Sequence, residues 1–337
     1  MLSSKIIEVV RSVIGDASPE KPIALHEPLL RGNESKYVQD CITKNQVTQG
    51  GYIRRFEQML CDFTGVEYAI ATCNATCALE IAIHAAPYDE PDRIKIPALT
   101  FIATANAAIH DGQGIMFVDS DDATLPVHLL GHKSQPTGYV HDAAQALGTE
   151  GIYGDHLTIH SFNGNKIITT GGGGAIITND SYYADYIRHA IAQCRVPHRW
   201  EINHDAIGYN YRMPNINAAL GVAQMEQLPH ILKAKRALAQ KYIEAFSGID
   251  GVKVWEEPAG TKSNYWLVAV LLDNPDEQGA ALQALHDAGY LVRKLPTPLH
   301  LLKPYEYCPR GDVSQSEDLW KRTICLPSSP ALGVRYA

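Results

Sequence analysis

No stretch of this sequence stays apolar for the roughly 20 residues that a membrane-spanning helix needs. A bilayer partner is therefore not expected. The N-terminus alternates polar and apolar residues and has no signal-peptide core, so a cytoplasmic location is the expectation. The chain also lacks a basic excess. Its formal net charge is -8, which argues against a nucleic-acid partner, because phosphate backbones attract basic surfaces. The seven cysteines include no C-x-x-C pair, so neither a zinc knuckle nor a disulfide framework is indicated. No H-E-x-x-H run occurs among the histidines, and no metal is expected. There are no internal repeats and no low-complexity tract.

What is present is a long chain of ordinary globular composition. Its 337 residues are 45% hydrophobic and 20% charged, enough for a large core and for two domains. Ile6, Ile7, Val9, Val10, Val13 and Ile14 form one apolar stripe that predicts a helix stopped by Gly15. Further helices are expected over 34–43 and 52–64. From Tyr68 the pattern becomes alternating. Strands are expected at 68–72, 93–97, 114–118, 125–130, 138–141, 157–161 and 174–178, the last running antiparallel. Helices are expected at 76–86 and 103–110 among them. Such alternation predicts an α/β fold with a mostly parallel central sheet. A helix over 182–194 and a polar loop over 195–211 follow. Then comes a long helical stretch over 217–246, interrupted near Pro229. The last third reads as a smaller α+β domain, with strands at 252–255, 266–272 and 289–293 and a helix at 277–288. The division is expected near residue 235, giving 1–235 and 236–337.

Lys166 lies in the run His160-Ser161-Phe162-Asn163-Gly164-Asn165-Lys166, and four glycines, Gly171 to Gly174, follow shortly after. Small polar residues and a glycine run leave room for a bulky ring beside an amine. That suits a lysine that forms a Schiff base with a carbonyl cofactor. Asp142, in Val140-His141-Asp142-Ala143-Ala144-Gln145, would supply the carboxylate that a pyridinium nitrogen requires. Thr76 and Cys77 open a helix directly after a strand, where free N–H groups favour an anion.

These segments, with Gly32-Asn33-Glu34, Asn74 to Leu79, Pro97 to Phe101 and Gly208 to Pro214, resemble the DegT/StrS family of pyridoxal-phosphate sugar aminotransferases. The resemblance implies fold type I architecture. Within the family it points to the legionaminic-acid pathway group, through Pro197 to Glu201 and Leu25 to Pro28. It implies pyridoxal 5'-phosphate as cofactor, Lys166 as its anchor and proton carrier, and Asp142 on the ring nitrogen. Thr76, Cys77 and Ser161 would serve the phosphate, Gln145 the ring hydroxyl, and Phe101 would stack on the ring. Cys77 departs from the Ser or Ala usual there. Asn210 would reach the cofactor of a partner subunit, implying a homodimer with shared sites. His198, Arg199 and Trp200 would contact a sugar nucleotide, with Arg212, His26 and Glu27 as weaker candidates. The implied substrates are glutamate and a nucleotide-linked 4-keto-6-deoxy sugar. The setting would be bacterial surface glycan synthesis of legionaminic-acid or bacillosamine type. Rival readings are a sugar dehydratase, against which the lysine speaks, and a non-catalytic regulatory member. Relatives carry crossover helices after the positions of Asp119 and Leu130. This chain has only short connections there, so one sheet face should be thinly covered, and shielding by a neighbouring subunit is the expectation.

Overall fold

The computed structural model describes residues 2–88, 93–135 and 138–337. Three helices open the chain: α1 (Leu2–Ile14), α2 (Glu34–Thr43) and α3 (Gly51–Thr64). The α1 stripe is buried apart from the half-buried Ile7, and Gly15 ends it at a φ of 92°, in the left-handed region that glycine enters without penalty. The α/β body follows as β1 (Tyr68–Thr72), α4 (Ala75–Ala85), β2 (Ile94–Pro97), α5 (Ile102–His110), β3 (Ile115–Val118), β4 (Val140–Asp142), β5 (Leu157–Ser161), β6 (Gly174–Thr178) and α6 (Ser181–Ala190). A small hairpin, β7 (Arg195–Val196) and β8 (Asn203–His204), precedes the long α7 (Asn215–Phe246). The last third contains β9 (Val252–Val254), β10 (Val268–Leu272), α8 (Gln278–Asp287), α9 (Ser314–Arg322), β11 (Thr323–Leu326) and α10 (Pro330–Gly333).

The central strands pair in the order β1-β6-β5-β4, with β2 and β3 as a separate parallel pair. β6 is antiparallel to both neighbours, as the sequence suggests, and β4 is parallel to β5. Residues 124–128 connect the two pieces. Thr124 and Leu125 donate to the Lys95 carbonyl at 2.9 and 3.1 Å, and His128 donates to that of Asp142 at 2.9 Å. The strand expected over 125–130 is thus only this sparse rung. Pro126 has no N–H for a ladder, and the segment ends in a 3-10 turn at Leu129–Gly131, with Leu130 at a φ of 57°.

The short connections are accommodated by the last third of the same chain. Residues 309–312 run along the β3 edge: Phe117 donates to Pro309 O at 3.0 Å, Gly311 to Phe117 O at 2.8 Å, and Asp119 to Asp312 O at 2.9 Å. The Asp119 carboxylate then accepts from the N–H groups of Gln315 (3.0 Å) and Ser316 (2.8 Å). It thereby satisfies the orphan donors of the first turn of α9. Cover for this edge therefore comes from within the chain. Of the connection over 131–137, residues 136–137 lie outside the described residues.

Other boundaries differ from expectation for local reasons. α6 stops at Ala190 rather than Cys194, because the chain turns at Gln193 and Cys194, with φ of 64° and 52°. α7 runs unbroken through Pro229. Pro229 is exposed, and one lost ladder bond is outweighed by a face buried from Ala218 to Phe246. The strand expected over 289–293 is reduced to single bridges with Ile23 and Cys325. Its place beside β10 is taken by β11, a four-residue strand too short to show a period. Apolar packing covers both sheet faces. Ile81, Ile94, Phe117 and Ile187 fill one side, and Phe56, Leu60, Phe162 and Val222 the other. A third cluster joins Ile6 and Val10 of α1 to Tyr242, Tyr290 and Ile324. Among the described residues no helix is long and apolar enough to cross a membrane.

Candidate active site

A cavity of about 340 Å³ opens at the ends of β4 and β5. Thr76, Phe101, Asp142, Gln145, Ser161 and Lys166 all line it. They come from four separate stretches of chain, which the sheet brings to one place.

Asp142 ends β4 and is buried. Its Oδ1 accepts from the Ala144 N–H at 3.0 Å, and its Oδ2 accepts from the Thr104 hydroxyl at 2.7 Å. Thr104 is itself 3.1 Å from the hydroxyl of Thr100, which lies just before α5. The carboxylate is thus fixed in orientation before any ligand arrives. Lys166 lies beyond β5 on a turn in which its own N–H donates to Asn163 O at 3.0 Å. Desolvation lowers its ammonium from 10.5 to about 8. The Asp142 charge acts in the opposite direction, and Arg293 adds to the lowering. The Nζ also stands 4.4 Å from the centroid of the Trp266 ring, and the Arg293 guanidinium carbon stands 5.7 Å from it. Trp266 in turn donates from Nε1 to Asn165 O at 2.6 Å, pinning the residue before the lysine.

At the other end of the cavity, α4 begins. Asn74 caps it, accepting from Cys77 N–H at 2.8 Å. The Ala75 and Thr76 N–H groups are the remaining orphan donors, and both residues line the cavity. Gly174, opposite, has a structural reason: a Cβ there would lie 2.7 Å from the Asn74 carbonyl and the Ala75 nitrogen. Phe101 is 60% exposed, a large aromatic face left open at the cavity mouth. The Gln145 carboxamide oxygen accepts from Leu130 N–H at 2.7 Å, which leaves its NH2 group to donate elsewhere.

The remaining named residues stand apart. Cys77 is absent from the cavity wall, and its N–H is taken by Asn74. Asn210 is exposed and bridges to Ala192 outside the cavity. Arg212 is exposed and pairs with Thr72 by a backbone bridge. His198, Arg199 and Trp200 sit exposed on the β7–β8 hairpin, where His198 Nδ1 accepts from Glu201 N–H at 2.9 Å. Glu27 is exposed, its N–H donating to Ser329 Oγ at 2.9 Å. His26 is closer to the centre than its sequence setting suggests. Its ring centroid lies 6.5 Å from that of Trp266, both ring nitrogens are buried without partners, and burial pushes its pKa well below 6.5.

Thr104, Trp266 and Arg293 belong to this site and were not singled out from the sequence. A threonine pair four apart at a helix start was the available signal for Thr104. Nothing local marks the other two, which reach the site from the last third of the chain. Two H-x-x-x-H spacings, His128/His132 and His156/His160, are also present in the chain. Among the described residues the group arranged as metal ligands is a different one: the donor atoms of His189, Cys194 and Asp205 lie within 4.8 Å of one another.

A desolvated amine, a buried oriented carboxylate acting on it, helix N-terminal donors and an open aromatic face suit a cofactor with an aldehyde, a pyridine ring and a phosphate. This donor set fits pyridoxal phosphate and defines the class: a pyridoxal-phosphate-dependent aminotransferase of fold type I.

The profile of the DegT/DnrJ/EryC1/StrS aminotransferase family matches residues 28–132 and 138–335. Over 350 residues the chain is 34% identical to a GDP-perosamine synthase of Escherichia coli O157:H7, covering 93% of this chain and 94% of that one. It is 32% identical to EpsN of Bacillus subtilis, a putative pyridoxal phosphate-dependent aminotransferase, with 91% of each chain covered. In fold it is similar to Helicobacter pylori PseC, an aminotransferase of pseudaminic acid biosynthesis. That likeness has a TM-score of 0.81 at 24% identity, covering 91% of this chain and 94% of the other. The chain belongs to the DegT/DnrJ/EryC1/StrS aminotransferase family.

Proposed function

We propose that this enzyme moves an amino group from glutamate to C4 of a nucleotide-linked 4-keto-6-deoxy sugar, N-acetylated at C2, for bacterial surface glycan synthesis of legionaminic-acid or bacillosamine type. The observation that carries the reading is Lys166 and Asp142 in one cavity, in a chain whose relatives include enzymes named for nucleotide-linked sugars. Those names include GDP-perosamine synthase and a dTDP-4-dehydro-2,3,6-trideoxy-D-glucose 4-aminotransferase. The Pro197 to Glu201 and Leu25 to Pro28 segments support the particular glycan class.

Bound pyridoxal phosphate supplies an electron sink for the carbanion at the donor's α-carbon. Lys166 holds the cofactor at rest, and its amine moves a proton at that α-carbon as general base and then acid. An ammonium lowered to about 8 is poised for both directions near neutral pH. Asp142, kept in place by Thr104 and Ala144, keeps the ring nitrogen protonated. Thr76, the N-terminus of α4 and Ser161 would hold the phosphate, Gln145 would donate to the ring hydroxyl, and Phe101 would offer its open face to the ring. Cys77 contributes only through the helix turn it helps to form. Arg293 offers an anion contact beside Trp266. Asn210 and the β7–β8 hairpin, with His198, Arg199 and Trp200, serve the cavity of a partner subunit in a homodimer. Their exposure outside this chain's own cavity supports that role. A division near residue 235 is supported by the separate cluster of Tyr242, Val268, Tyr290 and Ile324 beyond it, although α1, at the other end of the chain, packs into that cluster.

A product assay on a panel of nucleotide-linked 4-keto sugars with glutamate tests this. A 4-amino sugar should form from the N-acetylated substrate, and Lys166→Ala should lower the rate by on the order of a thousandfold. Transfer by that variant at the parent rate would overturn the reading.

A further inference from the structure

Where α6 ends and the chain enters the β7–β8 hairpin, three side chains able to hold a metal meet at one corner. His189 lies in the last turn of α6. Cys194 immediately precedes β7, and Asp205 immediately follows β8. One donor atom from each lies within 4.8 Å of the other two, and His189 Nε2 stands 2.7 Å from Asp205 Oδ1. Backbone bonds fix the three residues relative to one another. Cys194 N–H donates to His189 O at 3.0 Å, and Asp205 N–H donates to Cys194 O at 3.2 Å. His204 adds a bond from Nδ1 to Gln193 O at 2.7 Å. None of these residues lines the cofactor cavity.

We propose that His189, Cys194 and Asp205 bind one zinc-class divalent cation, which clasps the base of the β7–β8 hairpin to the end of α6.

The donor set selects the ion. A thiolate, an imidazole and a carboxylate offer sulfur, nitrogen and oxygen together. That mixture suits zinc, whereas calcium and magnesium take oxygen ligands. Thiolate and carboxylate neutralise the dication between them, and a water takes the fourth position. Tetrahedral bonds of about 2.0–2.3 Å place ligand atoms about 3.3–3.6 Å apart. His189 and Asp205 therefore part slightly while the sulfur closes in. One of these two side chains is half-buried and the other exposed, so both have room to turn. On binding, the hydrogen bond from His189 Nε2 to Asp205 gives way to two metal bonds, and the imidazole proton moves to Nδ1 through solvent. The Cys194 thiol loses its proton to solvent, so one proton leaves for each ion bound. Burial and the Asp205 charge push that thiol up in the metal-free chain, and binding accordingly weakens as pH falls.

The hairpin gives the ion something to do. β7 and β8 pair through two residues each, Arg195 with His204 and Val196 with Asn203. A two-stranded ribbon of that length has little stability of its own. Trp200 and Ile202, near its tip, are exposed, so packing on the body adds little. An ion held from both ends of the ribbon and from α6 closes it at the base. Because the ion binds the closed arrangement, it stabilises the hairpin by linkage. The site is independent of the transfer reaction, since none of its donors is placed on cofactor or substrate.

The test titrates untagged holoenzyme, stripped of metal by a chelator and kept reduced by a phosphine, with Zn²⁺ against a chromogenic zinc indicator near neutral pH. One ion per chain is expected, which Mg²⁺ and Ca²⁺ do not displace. Co²⁺ in its place should show a thiolate charge-transfer band and the visible bands of a four-coordinate ion. Cys194→Ser and Asp205→Asn should each weaken Zn²⁺ binding by on the order of a hundredfold, and Cys194→Ser should also erase the thiolate band. Cys61→Ser should change neither. Circular dichroism reports the fold of each variant. Asp205 is exposed, so Asp205→Asn carries the test if the buried Cys194→Ser does not fold. Amide hydrogen exchange over 195–204 should slow when Zn²⁺ is added. Absence of a stoichiometric ion would overturn the proposal. So would binding that survives Asp205→Asn at parent affinity, or a bound ion that leaves hairpin exchange unchanged. Amino transfer is assayed separately. An active enzyme that binds no ion sinks only the metal site, and an ion bound by a protein without transfer sinks only the proposed function.

Discussion

At the scale of single residues, the site depends on what is withheld from water. Lys166 is a surface-type side chain whose amine is desolvated between Trp266 and the cavity, and that environment lowers it to about 8. The amine is neutral above that value and charged below it. The rate at which stripped protein takes up pyridoxal phosphate should accordingly rise with pH through about 8, not 10.5. Stopped-flow absorbance checks this, and a midpoint near 10 would refute it. Thr104→Val removes a hydroxyl from a buried carboxylate oxygen at 2.7 Å. The expected cost is about 1–3 kcal/mol of stability, together with weaker cofactor binding. Denaturant unfolding and cofactor titration would read both effects.

At the scale of elements, the site is a meeting of a strand and a helix start. β6 can approach α4 so closely only because residue 174 has no Cβ. Gly174→Ala places a methyl group against backbone, which cannot rotate away. A loss of about 1–3 kcal/mol is expected, with looser cofactor binding because the α4 N-terminus shifts. Unchanged unfolding midpoints would show that the turn is softer than its contacts imply. Most of these elements were legible from periodicity. The α1 stripe, the 34–43 helix and β1 are as read, because each has one buried face or a fully apolar run. The rung at 124–128 and β11 were not. The first lacks a proline N–H, and the second acquires its identity by pairing with β10 far back in the chain.

At the scale of the whole molecule, buried histidines make the fold sensitive to acid. His141 stacks on His156 at 3.6 Å between centroids, and its Nδ1 is 3.4 Å from His128 Nε2. Burial lowers His128 and His141 to about 3, and His132 and His160 to about 4, from 6.5. The unfolded chain binds these protons first as pH falls. Stability is full above about 6.5 and is lost as pH drops toward the folded values, by about 1.4 kcal/mol per pH unit for each such group. Urea midpoints from pH 7 to 5 should fall steeply, and a flat profile would contradict the burial. Assembly is tested at the same scale. An inactive Asn210 variant mixed with an inactive Lys166 variant should regain activity in hybrid dimers that share sites. Failure to complement would confine each site to one chain.

The sequence by itself determined the chemistry and most of the local structure. A lysine before a glycine run, an aspartate at a strand end and a helix opening after a strand are local patterns, and local patterns follow from side-chain spacing and backbone preference. Tertiary structure decided what those groups meet. Trp266 and Arg293 beside the amine, Thr104 on the carboxylate and the 309–312 segment over a bare sheet edge all depend on packing. Spacing along the chain carries no record of distances across it.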